Sequence, residues 1–464
     1  MTFNFKEEQL IIKPHKSPQS IHIREQKGVY QHYRRLLSWV LMITFIIIPF
    51  LQYRGQQAVL FDIGKQQFKV FSLTFWPQDF VLLAGILLLA AFALFFVTSW
   101  LGRVWCGYVC PQTIWTLAYV WVEHRVEGKH NQRKALDKSP WNLDKLKKKT
   151  LKHCIWILMS FLTATTFISY FIPVQSLYVN LLSFDWTVVI TLWVLFFTLC
   201  TYGNAGWLRE KVCIDMCPYA RFQSAMFDKN TLLVAYNAER GENRGARKLK
   251  DNAEELKQTE GLGDCVDCNL CVEVCPTGID IRNGMQYECI NCALCIDACD
   301  ETMMRFNYEK GLISYTSERA LMGEKPAGVS FKLLAYASFC LVCSLAMTIW
   351  INMRIPLEAT VLRDRGALYS VDYQGLVKNT YTLKILNKSQ QPLHFSIKVP
   401  EFDTTALKRP KNLLIKSGAM QAVPLTLIVD GNNLAKKMTN ISFIIQAIEQ
   451  PNILLKRKTM FFRH

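Results

Sequence analysis

Apolar residues occur in five long and nearly uncharged runs, each close to the length that a membrane-spanning helix needs. A helix of about 20 residues crosses the hydrocarbon core of a bilayer. Five such runs in one chain favour a multi-pass membrane protein over a soluble protein with buried helices. The predicted spans are residues 36–53, 80–100, 154–174, 186–202 and 331–350.

After the fifth run the hydrophobic pattern changes to a period of two. Apolar and polar residues alternate in four short segments, and turn-forming residues such as 387–389 and 430–433 separate them. Several short alternating strands over about 100 residues are typical of an immunoglobulin-like β-sandwich. The alternating segments are residues 381–385, 393–399, 423–429 and 441–447.

Lysine and arginine are distributed unevenly among the segments that connect the predicted spans. The 101–153 segment is strongly basic, whereas the 175–185 segment has no Lys or Arg. Basic loops remain on the cytoplasmic side of a membrane. We therefore expect the N-terminus, the 101–153 segment and the 203–330 segment in the cytoplasm, and the C-terminal domain in the periplasm. The net charge of +17 is then explained by the cytoplasmic face, and no nucleic-acid partner is expected.

Eight cysteines between residues 265 and 299 form two runs of the pattern C-x2-C-x2-C-x3-C. This spacing is typical of two [4Fe–4S] clusters, in which the fourth cysteine of each run binds the other cluster. A pair of zinc sites is the alternative, since four thiolates also suit zinc. Pro276 follows the first run, whereas Asp300 follows the second. The predicted ligands are Cys265, Cys268, Cys271 and Cys299 for one cluster, and Cys289, Cys292, Cys295 and Cys275 for the other.

These patterns predict a multi-domain membrane protein with an α-helical core of five spans. A ferredoxin domain with two clusters is inserted before the last span, and an all-β immunoglobulin-like sandwich follows it. The predicted parts are a basic cytoplasmic tail (1–35), a four-span core (36–230), a polar linker with the ferredoxin domain (231–325), the fifth span (326–352) and the sandwich (353–464).

A second cysteine motif is repeated within the four-span core. Residues 100–111 and 207–218 share the pattern W-L-x4-C-x3-C-P, which places Cys106 and Cys110 in one copy and Cys213 and Cys217 in the other. Proline suits the first position of a helix, so helices are expected to begin directly after the second cysteine of each pair. The helix dipole would favour a thiolate there.

Several roles are open for these four cysteines. Soft thiolates suit copper(I) above all, but they also bind zinc or a further cluster, or cycle between dithiol and disulfide. Buried packing side chains are the structural alternative. Because the spacing is duplicated, we favour a redox or metal role.

The double ferredoxin run, the paired C-x3-C-P motif and the β-sandwich tail together resemble the cytochrome c oxidase accessory protein family, known as CcoG, FixG or RdxA. The resemblance covers nearly the whole chain. It implies a bacterial inner-membrane iron–sulfur protein that reduces copper(II) to copper(I) during assembly of a haem–copper oxidase. The implied partners are the lipid bilayer, oxidase subunits or copper-delivery proteins, and a cytoplasmic electron donor.

By the same resemblance, the eight cysteines of the ferredoxin runs would be cluster ligands. Cys106, Cys110, Cys213 and Cys217 would serve the copper step, with copper as substrate or transient ligand. Two other functions remain open from the residues. One is a membrane electron conduit that takes electrons from quinol or another donor. The other is a non-redox assembly scaffold.

Overall fold

The computed structural model describes most of residues 21–463 of the 464-residue chain. The residues within this range that it does not describe are 54, 184, 249–260, 326, 327, 329, 365, 367, 374, 403–405, 409, 411, 412 and 431–436. Most of the predicted basic tail, part of the predicted linker and most of the turn at 430–433 therefore lie outside the described residues.

The chain divides into two compact units. One contains the described residues up to Leu51 together with Ala84–Ser344, and the other contains Gln52–Leu83 together with the chain from Leu345 onward. The helices are α1 (Val29–Ile47), α2 (Phe80–Leu101), α3 (Val104–Tyr108), α4 (Pro111–Val126), α5 (His130–Lys138), α6 (Leu143–Ile168), α7 (Val174–Leu182), α8 (Val188–Thr201), α9 (Pro218–Ala225), α10 (Ala238–Gly241), α11 (Leu270–Glu273), α12 (Leu294–Arg305), α13 (Glu318–Leu321) and α14 (Phe331–Met353).

Strands occur in both units. In chain order they are β1 (Gln52–Tyr53), β2 (Gln56–Gln57), β3 (Val59–Asp62), β4 (Gln67–Val70), β5 (Leu73–Phe75), β6 (Leu233–Tyr236), β7 (Ile313–Thr316), β8 (Leu357–Arg363), β9 (Ser370–Val371), β10 (Leu376–Asn387), β11 (Leu393–Lys398), β12 (Leu407–Lys408), β13 (Leu414–Ile415), β14 (Met420–Asp430), β15 (Met438–Ala447) and β16 (Leu454–Phe462).

Five described helices are long and apolar enough to cross a membrane, as the sequence predicts. They cover Val29–Phe50, Phe80–Leu101, Leu143–Ile168, Val188–Leu208 and Phe331–Met353. The first and third begin earlier than predicted, and some of the charged residues that seemed to precede them lie on their protein-facing sides. Arg34 is only 2% exposed, and Lys152 is buried against Glu127 with its Nζ 2.9 Å from the carboxylate.

A buried ion network joins the helices of the membrane core. Glu123 of α4 is 5% exposed, and it accepts hydrogen bonds from Arg133 of α5 at 2.7 Å and from Arg209 at 2.5 Å. Burial raises the pKa of Glu123, but the two guanidinium groups outweigh this and hold the pKa below its ordinary value. A depressed pKa means that the stabilisation is present at neutral pH and is lost on acidification.

We expect Glu123→Gln to lower the free energy of unfolding by about 3–5 kcal/mol, because it leaves two buried guanidinium groups without their counter-charge. The fall should appear as a lower melting temperature of the detergent-solubilised protein. The matched control is Asp144→Asn. The Asp144 carboxylate forms an exposed ion pair with Lys148 at 2.8 Å, and its loss should lower the free energy of unfolding by less than about 1 kcal/mol. Equal melting temperatures for the two variants would contradict the role of Glu123.

The ferredoxin domain is closed by an antiparallel pair of strands from its two ends. Leu233 of β6 lies opposite Thr316 of β7, and Tyr236 lies opposite Ile313. The sequence predicts a polar linker at the start of the 231–325 segment, but residues 233–236 form a buried strand. The run is only four residues long, too short for hydrophobic periodicity to distinguish a strand from a linker.

The second unit contains the predicted β-sandwich. One sheet has the strand order β12-β14-β10-β8, with β9 on β10, and the other has the order β13-β11-β15-β16. The alternating apolar residues of the sequence face inward and form one core. The Tyr381 hydroxyl of the first sheet donates to the Met460 carbonyl of the second at 2.8 Å. Residues 59–75, which hydropathy shows only as a loop, form the small sheet β3-β4-β5 of the same unit.

Candidate metal centre

Each cysteine run of the ferredoxin domain bends around its middle cysteine through left-handed backbone positions. In the first run, φ is +49° at Asp267 and +57° at Asn269. In the second run, the equivalent residues Asn291 and Ala293 have φ of +52° and +59°. Asn and Asp tolerate this conformation better than other residues with a Cβ. The two loops therefore have matching backbone conformations, as the repeated cysteine spacing leads one to expect.

The eight cysteines surround two small apolar cavities. Cys265, Cys268, Cys271 and Cys299 line the first, together with Met303 and Leu312. Cys275, Cys289, Cys292 and Cys295 line the second, which Cys271 also borders. These are the two sets of four that the sequence analysis assigns, with the fourth cysteine of each run placed in the other run's cavity. Their role as iron ligands stays a prediction.

The donor set around the cavities fits iron–sulfur cubes better than single ions. Within the described chain, no three His, Cys, Asp or Glu side chains converge closely enough to hold one metal ion. A zinc site requires four ligands around one point, whereas each cysteine of a cube binds a different iron. The lining is mainly cysteine and apolar side chains, and Arg282 also lines the first cavity. Two [4Fe–4S] clusters would fit at these thiols.

The residues after the fourth cysteines differ for a structural reason. Cys275 lies beyond the end of the short helix α11, so Pro276 interrupts no helix. Cys299 lies within α12, which continues to Arg305, and a proline after it would break that helix. Asp300 is accommodated there and accepts a hydrogen bond from the Gly311 amide at 3.0 Å.

The two C-x3-C-P pairs lie next to each other in the first unit. Cys110 is the N-cap residue of α4 and Cys217 that of α9, as predicted. Burial, with smaller contributions from the nearby Cys110, Cys213 and Cys217, raises the pKa of Cys106 to about 12 against the opposing effect of Arg103. Burial likewise raises the pKa of Cys213 to about 11.

The expectation of a thiolate at the helix N-termini is not met at Cys110. Burial raises its pKa, although the backbone amides of Thr113 and Gln112 act in the opposite direction. Removal from water therefore outweighs the helix dipole. With pKa values above neutral, Cys106, Cys110 and Cys213 carry protons at pH 7 in the metal-free protein.

The first pair of thiols packs directly against the second cluster cavity. Cys106 contacts the apolar cluster that contains Ile290, Cys292 and Leu294. The approach is close, because a Cβ on Gly107 would lie 2.8 Å from the Ile290 carbonyl oxygen and 3.0 Å from the Cα of Cys292. The Tyr108 hydroxyl also donates to the Cys292 carbonyl at 3.3 Å. Residues 106–108 thus adjoin the loop that would bind the second cluster.

We expect Gly107→Ala to destabilise the protein by about 1–3 kcal/mol, because the new methyl group meets backbone atoms that cannot rotate away. A lower melting temperature should accompany a change in the optical spectrum of the second cluster. Gly203→Ala is the matched control, since a Cβ there would have no heavy atom within 4 Å. Identical stability of the two variants would contradict the close contact.

Comparison with known proteins matches both parts of this architecture. Residues 208–318 match the family model of a 4Fe-4S dicluster domain, and residues 347–464 match the IG-like fold at the C-terminal end of FixG. The nitrogen fixation protein FixG of Rhizobium meliloti is 36% identical over 401 residues, which cover 78% of this chain and 76% of that protein.

The chain belongs to the FixG family.

Two further relatives come from Cereibacter sphaeroides. RdxB is 38% identical over 80% of this chain and 81% of its own, and RdxA is 36% identical over 86% of this chain and 85% of its own. A crystal structure of a FixG-related protein from Vibrio parahaemolyticus covers 23% of this chain and 96% of its own, at 26% identity and a TM-score of 0.21. The match to the 4Fe-4S dicluster domain and the FixG relatives identify this chain as a membrane-bound iron–sulfur electron-transfer protein.

The sequence analysis missed the residues that hold the N-terminal segment of this FixG-family protein against its ferredoxin domain. Asp297, between two cluster cysteines of α12, accepts hydrogen bonds from the amides of Tyr30 at 3.2 Å and Gln31 at 2.8 Å. It thereby caps α1. A Cβ on Gly28 would overlap the Asp297 carboxyl carbon, at 2.2 Å. The one sequence signal was this glycine directly before the helix.

The predicted basic tail also ends earlier than residue 35. The Arg24 amide donates to the Glu273 carbonyl at 2.9 Å, and the Gln26 side chain donates to Glu301 at 2.7 Å. Arg34, within α1, donates through Nε to the Gly107 carbonyl at 2.9 Å. The described residues of this segment are therefore part of the site's framework.

Proposed function

We propose that this FixG-family protein reduces copper(II) to copper(I) during assembly of a haem–copper cytochrome c oxidase. The observation that carries the proposal is the packing of Cys106 against the apolar cluster that contains Ile290 and Cys292. This contact brings the thiol group formed by Cys106, Cys110, Cys213 and Cys217 next to the second cluster cavity. Electrons from a cluster in that cavity would need to cross only this apolar contact to reach the thiol group.

The chemistry of the thiol group supports copper as the acceptor. When bound, the clusters supply stored electrons, one from each cluster. Copper(II) accepts one electron and becomes copper(I), which prefers sulfur ligands. Buried thiols must lose their protons when they bind the metal, so the thiol group would take up copper(I) and release protons to water. The four thiols do not converge on one point within the described structure, so copper binding requires them to rearrange.

The experiment is anaerobic reduction of the purified protein, removal of excess reductant and titration with copper(II) in the presence of a copper(I) chelator. Two clusters, each storing one electron, should yield about two copper(I) per chain. The visible absorption of the oxidised clusters should return in step with the copper(I) formed. Clusters that remain reduced in the presence of copper(II), but are oxidised by a dye, would exclude the reductase function.

The proposed setting is the bacterial inner membrane, with the N-terminus and ferredoxin domain in the cytoplasm and the sandwich domain in the periplasm. Oxidase subunits or copper-delivery proteins are the proposed receivers of copper(I), and the sandwich is the proposed surface for them. This orientation follows from the excess of Lys and Arg in the 101–153 segment and the rule that basic loops remain inside.

Reporter fusions test this orientation. Both positions lie on the basic side of the membrane. A reporter that is active only in the cytoplasm should therefore be active when it is fused after His130 or after Asp267. A fusion at the C-terminus should be active only in its periplasmic form. A cytoplasmic signal from the C-terminal fusion would mean that an even number of the five candidate helices crosses the membrane.

A further inference from the structure

A cavity in the first unit is lined both by residues of the first candidate span and by residues near the two redox sites. It has a volume of about 290 Å³, and its lining is mainly apolar. Trp39 of α1 and Trp121 of α4 line it and are 58% and 52% exposed, so the cavity opens at the apolar outer surface beside α1. Arg24 and Glu25 line its polar part.

Two side chains that line this cavity each carry a buried polar atom with no hydrogen-bond partner among the described residues. The two atoms are Nη1 of Arg34 and Oε1 of Gln31. Arg34 is 2% exposed and Gln31 is 8% exposed. An unsatisfied buried polar atom is costly, and polar residues on the inner face of a membrane helix are functional candidates. The pair offers one hydrogen-bond donor and one acceptor to a ligand.

The same cavity reaches both redox sites. Thr277 lines it, and the Thr277 hydroxyl lies 3.3 Å from the sulfur of Cys275, a predicted ligand of the second cluster. Ile290 and Leu294 belong to the apolar cluster against which Cys106 packs. Both also line the cavity, as does Cys213 of the thiol group. Only the Thr277 hydroxyl would then separate a molecule in this cavity from Cys275, a predicted cluster ligand.

We propose that this cavity binds a membrane quinol, which is the electron donor of the protein. A quinol has an apolar tail that enters from the lipid side, and two hydroxyl groups that both donate and accept hydrogen bonds. Arg34 would donate to one quinol oxygen, and Gln31 would accept from a quinol hydroxyl. An apolar cavity with a few convergent polar groups is the usual form of a site for such a ligand.

The reaction balances when it is joined to the proposed copper reduction, on which this inference rests. One quinol loses two electrons and two protons and becomes a quinone. Clusters held by the eight cysteines would take one electron each, and the two protons would leave to water past Glu25 and Gln26, which also line the cavity. Two copper(II) ions then take one electron each. Two clusters that each hold one electron would thus allow a donor that releases two electrons to reduce an acceptor that takes one electron at a time.

Binding is tested first, without any turnover. A photoreactive azidoquinone with a decyl tail, added to the full-length protein in detergent, should label peptides within residues 23–42 and 112–124. Excess decylubiquinone should prevent the labelling. Labelling confined to residues that do not line the cavity would overturn the proposal. Protection by phosphatidylglycerol but not by decylubiquinone would also overturn it, by showing a phospholipid site.

Electron donation is tested with decylubiquinol and the variant Gln31→Leu, which removes the acceptor at nearly constant volume. Wild-type clusters should be reduced by decylubiquinol. The concentration that gives half the maximal rate should rise about tenfold in the variant, as expected for one lost hydrogen bond. His32→Leu, at the exposed neighbouring position of α1, should match the wild type. A wild type that decylubiquinol cannot reduce, or a Gln31→Leu variant equal to the control, would overturn the proposal.

Reduction by dithionite distinguishes a failure of the proposed quinol site from a failure of the proposed copper reduction. Dithionite reduces the clusters without using the cavity, so copper(II) reduction driven by dithionite should be the same in the Gln31→Leu variant and the wild type. Loss of dithionite-driven copper reduction in the variant would show general damage and would overturn the assignment of Gln31. A wild type that reduces no copper(II) after dithionite treatment would refute the copper step, while the labelling pattern would still decide the quinol site.

Discussion

Replacement of all four C-x3-C-P cysteines by serine is expected to abolish most copper(II) reduction while both clusters remain assembled. The four residues are Cys106, Cys110, Cys213 and Cys217, and none of them lines either cluster cavity. Serine keeps the size of the side chain but is a harder ligand than a thiolate. We expect the rate to fall by at least about tenfold, measured with a copper(I) chelator, at unchanged iron content.

The chain offers a matched quadruple control. Cys154, Cys200, Cys340 and Cys343 lie in candidate membrane helices, and none of them lines the cluster cavities or the proposed quinol cavity. Their replacement by serine should leave the reductase rate within about twofold, since surface and lipid-facing changes are usually small in effect. A cluster-replete C-x3-C-P variant with full activity would remove the copper role of the thiol group. Loss of the clusters in that variant would instead assign the four thiols a structural role.

The second large effect is expected from single replacements of the fourth cysteine of each run. The holoprotein should contain about eight irons, four for each cluster. Because Cys299 lines the cavity of the first run, Cys299→Ala should impair the same cluster as Cys265→Ala. Because Cys275 lines the cavity of the second run, Cys275→Ala should resemble Cys289→Ala. In each case about half of the iron should be lost.

Low-temperature paramagnetic resonance of the reduced variants measures this pairing. The spectrum that remains in Cys299→Ala should match that of Cys265→Ala and differ from that of Cys275→Ala. The control Cys154→Ser should keep both signals. If Cys299→Ala instead matched Cys289→Ala, each run would bind its own cluster and the crossed assignment would be wrong. Stoichiometric zinc with negligible iron would exclude clusters altogether.

Much of this fold could be predicted because its signals are local in the sequence. The sandwich strands follow a period of two, and residues such as Leu383 and Phe443 are fully buried as that pattern requires. The cysteine groups follow from spacing, since the crossed arrangement is a property of the repeated run. The helix starts after Cys110 and Cys217 follow from the prolines behind them.

The parts that could not be predicted depend on contacts between distant segments. Hydropathy placed the start of the first span after Arg34, because it cannot show that this guanidinium is buried against Gly107. The protonated state of Cys110 depends on burial, which the helix position alone does not reveal. The cap that Asp297 provides for α1 lies 266 residues from Gln31 in the chain. No sequence window contains both residues.

The capping of α1 by Asp297 has a consequence for biosynthesis. The first span leaves the ribosome early, but its N-terminal amides find their partner only after Asp297 and the rest of α12 have been made. Contacts of such long sequence separation form late, because loop closure comes first. The cap residue also lies between two cysteines that are predicted to bind different clusters. The start of the first span would therefore be fixed only after α12 has folded against it, and until then that end would be open to proteases.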